Sequence, residues 1–513
     1  MADAARRIEG TLPEPPHKLA DLAAPAVEDE NAVSWKETKK PESPLYANRV
    51  KVHPRDVHGP IRRIKWIVLG VLLAIYYVTP WIRWDRGPDA PDQAVLIDMA
   101  SRRAYFFFIE IWPQEVYYLT GLLVLGAVGL FFVTSLFGRL WCGYACPQTV
   151  WTDLYMWVER KVEGDRGARI RLDKQPMNGA KLAKRLTKHG IWLLIALLTG
   201  GAWIMYFQDA PTFVSEFFTG QSAGGTYFFV GLFTATTYLL AGWAREQVCT
   251  YMCPWPRFQA AMFDEDTLVV TYQRWRGEPR GKHRKGESWE GRGDCIDCSA
   301  CVAVCPTGID IRDGQQLECI GCGLCIDACN DVMTRIGRPK ELITFDTEAN
   351  QAALEEGRPK PKWKLIRLRT IFYTMLFVGI AAAMLVTYVT RASVDINVLH
   401  DRAPLFVTLA NGDIRNGYTI KILNMTREPR SFVLAYRIGE GVEGAGMDVQ
   451  GKEVTGETAF LTADRDTVES YQIYLRAPAD RLTGESMPVT FTLTDPTGGD
   501  RVTYESVFRG PQK

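Results

Sequence analysis

The chain has 513 residues, with 60 Lys and Arg against 59 Asp and Glu, a formal net charge of +1. That balance lacks the basic excess of a nucleic-acid-binding chain, and the length exceeds a single folding core. Hydrophobic residues make up 47% of the chain while mean hydropathy is near zero, so membrane and soluble parts must be segregated along it.

Residues 1–60 are rich in Pro, Ala and charge, with no apolar run before about Ile64. They read as a mostly disordered cytoplasmic arm without a cleavable signal peptide. Five later segments, 64–81, 116–137, 191–207, 227–243 and 370–389, approach the roughly 20 apolar residues that a membrane-crossing helix needs. Lys65, Trp66, Trp192 and Trp203 suit interfacial positions. Orientation follows from basic flanks. Arg62, Arg63 and Lys65 begin the first span, Arg139, Arg160 and Lys161 follow the second, and Lys181, Lys184, Arg185 and Lys188 precede the third. Arg245 follows the fourth, and Lys360, Lys362, Lys364, Arg367 and Arg369 precede the fifth. Five crossings then put the N-terminus inside and the C-terminus outside.

Spans two and four end in a weak internal repeat, Arg139-Leu-Trp-Cys142-Gly-Tyr-Ala-Cys146-Pro147 against Arg245-Glu-Gln-Val-Cys249-Thr-Tyr-Met-Cys253-Pro254. On a helix, positions i and i+4 share a face, so each C-x3-C pair can present two sulphurs to one point. Pro suits the first turn of a new helix, expected over 147–162, which puts Cys146 and Cys253 near helix N-termini where a thiol pKa falls. Soft thiolates select Cu(I), zinc or iron–sulphur clusters. Inert buried cysteine is the competing account, and its weight falls because the motif recurs at two matching span ends. Met252 is a candidate thioether.

The most specific signal is Cys295-x2-Cys298-x2-Cys301-x3-Cys305-Pro306, repeated as Cys319-x2-Cys322-x2-Cys325-x3-Cys329. Duplicated ferredoxin spacing implies two [4Fe-4S] clusters, one on Cys295, Cys298, Cys301 and Cys329, the other on Cys305, Cys319, Cys322 and Cys325. A structural zinc site needs only four ligands and leaves the doubling unexplained. Asn330 stands where the second motif often has Pro, a change expected to loosen the local backbone. No cysteine lies before Cys142 or after Cys329. The twelve form ligand sets rather than a disulfide framework, which points to a reducing compartment. His17, His53, His58, His189 and His283 read as solvated or lipid-facing, and Asp98, Glu110 and Glu115 as surface carboxylates.

Beyond residue 391, short β-prone runs at 406–409, 418–423, 432–436 and 489–493 are separated by turn signals at Asn411-Gly412, Asn416-Gly417 and Thr497-Gly498-Gly499. They suit a small immunoglobulin-like sandwich outside the membrane. The expected fold is thus an α-helical membrane protein of five transmembrane helices, with an inserted ferredoxin-like domain and a C-terminal all-β domain. The divisions are 1–60 (arm), 61–262 (four-helix membrane domain with both C-x3-C-P motifs), 263–363 (cytoplasmic 2[4Fe-4S] domain and linkers), 364–390 (fifth helix) and 391–513 (periplasmic sandwich).

The run Gly138-Arg-Leu-Trp-Cys142-Gly-Tyr-Ala-Cys146-Pro-Gln-Thr-Val-Trp151, continuing through Trp157-Val-Glu-Arg-Lys161-Val-Glu-Gly-Asp-Arg166, resembles the CcoG (FixG, RdxA) family of cytochrome c oxidase accessory proteins. So do Gly293-Asp-Cys-Ile-Asp-Cys298, Cys305-Pro-Thr-Gly-Ile-Asp-Ile-Arg312 and Asp401-Arg-Ala-Pro-Leu-Phe-Val407. The resemblance spans roughly 46–513. It implies a role in assembling cbb3-type oxidase in the bacterial inner membrane by reducing Cu(II), as substrate, to the Cu(I) that copper chaperones carry. It also implies that the two clusters supply electrons and that Cys142, Cys146, Cys249 and Cys253 take part in copper or redox chemistry. Expected partners are copper chaperones, oxidase assembly factors, a cytoplasmic electron donor and membrane lipid, with no nucleic acid; homodimerisation stays open. Related membrane ferredoxins share the C-x3-C-P pairs, so an electron-transfer subunit of a quinol-linked chain and an assembly scaffold stand as alternatives.

Overall fold

The computed structural model describes residues 51–511 except 88–89, 285, 362, 427, 440, 466 and 498. Residues 1–50 of the expected arm lie outside the described residues. Residues 51–59, expected to be disordered, are instead an extended strap. The Arg55 N–H donates to the Ala303 carbonyl at 2.7 Å and the Asp56 N–H to Asp165 at 2.9 Å, with Val57 buried.

Among the described residues four helical stretches are long and apolar enough to cross a membrane: Pro60–Trp81, Pro113–Phe137, Gly224–Ala244 and Leu368–Val389. Their principal helices are α1 (Pro60–Val78), α2 (Tyr117–Phe137), α5 (Gly224–Thr237) and α7 (Leu368–Val389). The segment read as the third span is the second half of a 26-residue helix, α4 (Gly179–Ile204), that packs against α5. It is not one of the four, because its first half carries Lys181, Lys184, Arg185 and Lys188 and the apolar stretch begins only at Ile191. Between α2 and α4 runs α3 (Pro147–Glu163), started by Pro147 as expected and covered by apolar and aromatic neighbours.

Several residues read as basic flanks are structural. Arg62 and Lys65 lie inside α1, 2.7 and 3.3 Å from Asp153 of α3. Glu159, fully buried, meets Arg245 at 2.9 Å, Arg169 at 3.0 Å and Lys188 at 3.6 Å, and Glu163 holds Lys188 and Arg185, each at 2.9 Å. A buried charge is tolerable only when paired, so these cations and carboxylates fix α3 against α1, α4 and the turn after α5. Trp192, expected at an interface, is buried here. It donates to the Tyr155 carbonyl at 3.1 Å and lies beneath Lys188 and Arg245.

Between α1 and α2 an unanticipated three-stranded antiparallel sheet, Val95–Asp98, Arg103–Phe106 and Ile109–Ile111, covers the far end of the helices. Glu115, read as a surface carboxylate, is buried there; it accepts from the Trp112 N–H at 3.0 Å and faces Arg391. The C-terminal domain is a sandwich of two five-stranded antiparallel sheets. Alternation along Ile414–Asn424 buries Ile414, Asn416, Tyr418, Ile420 and Ile422 against Phe432, Phe491 and Phe508. Asn416-Gly417 is therefore not a turn. Asn416 sits within the strand, its side chain bonded to both the N–H and the carbonyl of Arg509 at 2.8 Å, while Asn411-Gly412, and Thr497 and Gly499 of the last turn signal, do fall between strands.

Burial raises the pKa of Glu159, but Arg245, Arg169 and Lys188 outweigh it and hold the carboxyl at about 2. Its contribution is fully present above the unfolded value of about 4.3 and is lost as pH falls through about 2. Glu159→Gln leaves three cations facing a neutral group and is expected to destabilise the protein by about 3–5 kcal/mol. The check is thermal unfolding in detergent against wild type at pH 7.

Candidate functional site

The two ferredoxin motifs fold into loops of matching shape. Asp297 and Ser299 in the first, and Gly321 and Gly323 in the second, occupy equivalent places between cysteines and all have φ between 51° and 71°. Left-handed backbone at these two steps curls each loop around its own three sulphurs. A short helix, Ala300–Val304, follows the first loop and ends before Cys305; α6 (Leu324–Arg335) follows the second and carries Cys329. Asn330 does not loosen the backbone: α6 continues through it for another turn, and its side chain accepts the Glu341 N–H at 2.7 Å.

The fourth cysteine of each motif crosses to the other set. Burial, then the sulphurs of Cys301, Cys295 and Cys298, push the Cys329 thiol up to about 12. Burial, then Cys322, Cys319 and Cys305, push Cys325 well above its usual value. Cys301, Cys305, Cys319, Cys322 and Cys325 line one small cavity of about 20 Å³. Buried thiols with raised pKa become thiolates readily only beside a compensating cation. The two tetrads therefore fit iron–sulphur clusters, which when bound supply one-electron transfer.

The C-x3-C-P pairs are built differently from the sequence reading. Cys142 lies on a one-turn helix, Leu140–Tyr144, whereas Cys146 is already extended and precedes the first turn of α3. Cys249 lies in a wide π-helical turn, Val248–Met252, which ends at Cys253. Neither pair shares one regular α-helix, yet Cys142 and Cys249, one from each pair, pack against the same buried group. Burial first, then Cys146, push Cys142 up to about 11; burial, then Cys146, Cys142 and Cys253, push Cys249 up to about 12. Burial dominates at both; the expectation of a helix N-terminus concerned the other two cysteines, of which Cys146 does cap α3. The Cys142 thiol donates to the buried Gln259 side chain at 3.2 Å. Met252 is exposed and outside this group. All twelve cysteines are free.

This thiol group rests directly on the second ferredoxin loop. Cys142 and Cys249 pack against the buried group that includes Ile320, Cys322 and Leu324. A Cβ on Gly143 would lie 2.9 Å from the Ile320 carbonyl oxygen and 3.0 Å from the Cys322 Cα, so only glycine permits the approach. Arg139, read as a flank, joins all three parts: its guanidinium donates to the Cys319 carbonyl at 3.1 Å, the Leu317 carbonyl and the Pro256 carbonyl at 2.8 Å. Tyr144 donates to the Cys322 carbonyl at 3.1 Å. Among the described residues, no three His, Cys, Asp or Glu side chains converge tightly enough to share a single metal ion. The ferredoxin tetrads come under that statement too, as suits ligands that each bind a different iron.

Three family models match: a 4Fe-4S binding domain over 119–163, a 4Fe-4S dicluster domain over 244–348 and the IG-like fold at the C-terminus of FixG over 384–511. The chain is 48% identical over 497 residues to the nitrogen fixation protein FixG of Rhizobium meliloti, covering 91% of this chain and 94% of that one. It is 49% identical over 479 residues to protein RdxA of Cereibacter sphaeroides, covering 91% and 99%. The chain belongs to the FixG/RdxA/CcoG family of iron–sulphur oxidoreductases. A crystal structure of a FixG-related protein from Vibrio parahaemolyticus aligns with 23% of this chain and 96% of its own, at 20% identity and a TM-score of 0.20. Between them the two iron–sulphur models enclose every cysteine of this family member: Cys142 and Cys146 in the first, the other ten in the second.

Gly143→Ala is expected to push the 319–322 loop off the thiol group while leaving both tetrads able to bind metal. Hydrogen exchange at 320–322 should accelerate several-fold in the holoprotein, with iron and sulphide content at wild-type levels.

Proposed function

We propose that this protein reduces Cu(II) to Cu(I) at Cys142, Cys146, Cys249 and Cys253, for copper delivery during assembly of a cbb3-type cytochrome c oxidase. The observation that carries the proposal is that one cysteine of each C-x3-C-P pair, Cys142 and Cys249, packs against the Cys322 loop. Soft sulphur ligands favour Cu(I) over Cu(II), which is the direction of the reaction. Each copper takes up one electron. The thiols of Cys142 and Cys249 are protonated at neutral pH and must release their protons when they bind metal. Copper chaperones and oxidase assembly factors are the partners this reading calls for, with an electron donor on the cytoplasmic side.

The topology that goes with it has five crossings, α4 supplying the third, in the bacterial inner membrane. The ferredoxin block then faces the cytoplasm and the sandwich the periplasm. Support comes from four qualifying helices, from the basic first half of α4 and from confinement of every cysteine to 142–329.

A second reading has its own support, since the family model over Cys142 and Cys146 is described as 4Fe-4S binding. On that reading the four thiols hold a further cluster and the protein passes electrons without a copper substrate.

The test uses anaerobically purified holoprotein with a chemical reductant, Cu(II) and a Cu(I)-selective chelator. Replacing all four cysteines by Ser should slow Cu(I) formation at least tenfold while the ferredoxin-type paramagnetic signal persists. An unchanged rate would remove these thiols from the chemistry. Iron above the ~8 atoms that two cubanes hold, lost in the same variant, would favour the second reading.

A further inference from the structure

A cavity of about 500 Å³ lies beside the first turn of α1, bordered by Arg62, Arg63, Arg160 and Lys161 and by Trp66 and Trp157. Two carboxylates also border it, and both are engaged: Asp165 accepts the Asp56 N–H at 2.9 Å, and Asp56 lies 3.7 Å from Arg160. Cations thus outnumber carboxylates around the space. Two of their nitrogens have no acceptor among the described residues. Arg62 is only 4% exposed, and its Nη1 is bound to Asp153 at 2.7 Å, but its buried Nη2 donates to nothing. The buried Nη2 of Arg160 is likewise unpartnered. Buried guanidinium donors find acceptors in native proteins, and one unpartnered nitrogen on each of two arginines beside one space suits an anionic acceptor.

The surroundings say where that phosphate comes from. Trp66 and Trp157 meet edge to face at 6.3 Å, as aromatic side chains do at headgroup level. Ile64 and Ile67, on the next turn of the same helix, are 53% and 66% exposed, so an apolar outer face begins beside the cavity. Basic pockets at the ends of membrane helices hold the phosphates of acidic lipids.

We propose that this cavity binds the phosphate headgroup of an anionic phospholipid, with Arg62 and Arg160 donating to its oxygens and the two tryptophans flanking its glycerol end. The site is separate from the thiol group and independent of what that group reduces. Through Asp153 it reaches α3, the helix that begins at Cys146.

The experiment takes full-length protein in detergent and compares phosphatidylglycerol, phosphatidylcholine and inorganic phosphate by native mass spectrometry and thermal unfolding. Phosphatidylglycerol should remain bound and raise the unfolding temperature, phosphatidylcholine should do neither, and phosphate at equal concentration should have no effect. R160Q/K161Q, which spares the Arg62–Asp153 pair, should retain phosphatidylglycerol at least tenfold more weakly. Should that variant fail to fold, Arg63→Gln on the exposed rim should weaken retention several-fold. Equal retention of the two lipids, wild-type retention by the folded variants, or stabilisation by inorganic phosphate alone would each overturn the lipid site, the last assigning it to a soluble anion.

Discussion

Asp327 decides how the parts of this molecule meet. It lies on α6 between Cys325 and Cys329, and its carboxylate accepts the N–H groups of Ile61 and Arg62, at 3.4 and 2.8 Å. The first turn of a membrane-length helix is thereby capped by a residue from the cluster-binding helix, where the helix dipole also favours a negative charge. Arg62 then turns its side chain to Asp153 on α3. One residue of α1 thus connects the helix that carries Cys325 and Cys329 to the helix that starts at Cys146.

The thiol group sits in the seam this joint creates. It belongs to neither unit alone: two cysteines come from the turn after α2, two from the turn after α5, and the packing surface beneath them from the ferredoxin block. Arg139 is the tie across that seam. Its buried guanidinium serves three carbonyls from two separate segments, and charge-assisted bonds in a buried place hold geometry better than apolar packing does.

Much of this was legible in the sequence, for identifiable reasons. Cubane ligation requires a rigid spacing, so the iron–sulphur domain matched over 244–348 could be read directly from its cysteine motifs, and Pro147 announced the start of α3. Contacts between residues distant in the chain could not. Arg62, Lys65, Lys188 and Arg245 looked like membrane flanks because their counter-charges, Asp153 and Glu159, lie on an amphipathic helix with no motif of its own. Arg139 likewise makes distant contacts that its position in the chain did not announce. The i, i+4 argument for the C-x3-C pairs assumed regular helix where the chain instead breaks at Cys146 and widens around Cys249. Asn416-Gly417 carried turn chemistry, but tertiary hydrogen bonds to Arg509 held it in a strand.

The bare Cα of Gly143 against the Cys322 backbone has a consequence for how the protein can change over time. Where two redox centres are held apart by side chains, every rotamer and every substitution alters the gap an electron must tunnel across. Here main chain meets main chain. On the proposed reading, in which the thiol group exchanges electrons with this loop, backbone packing fixes the approach, and neighbouring side chains can change without altering it.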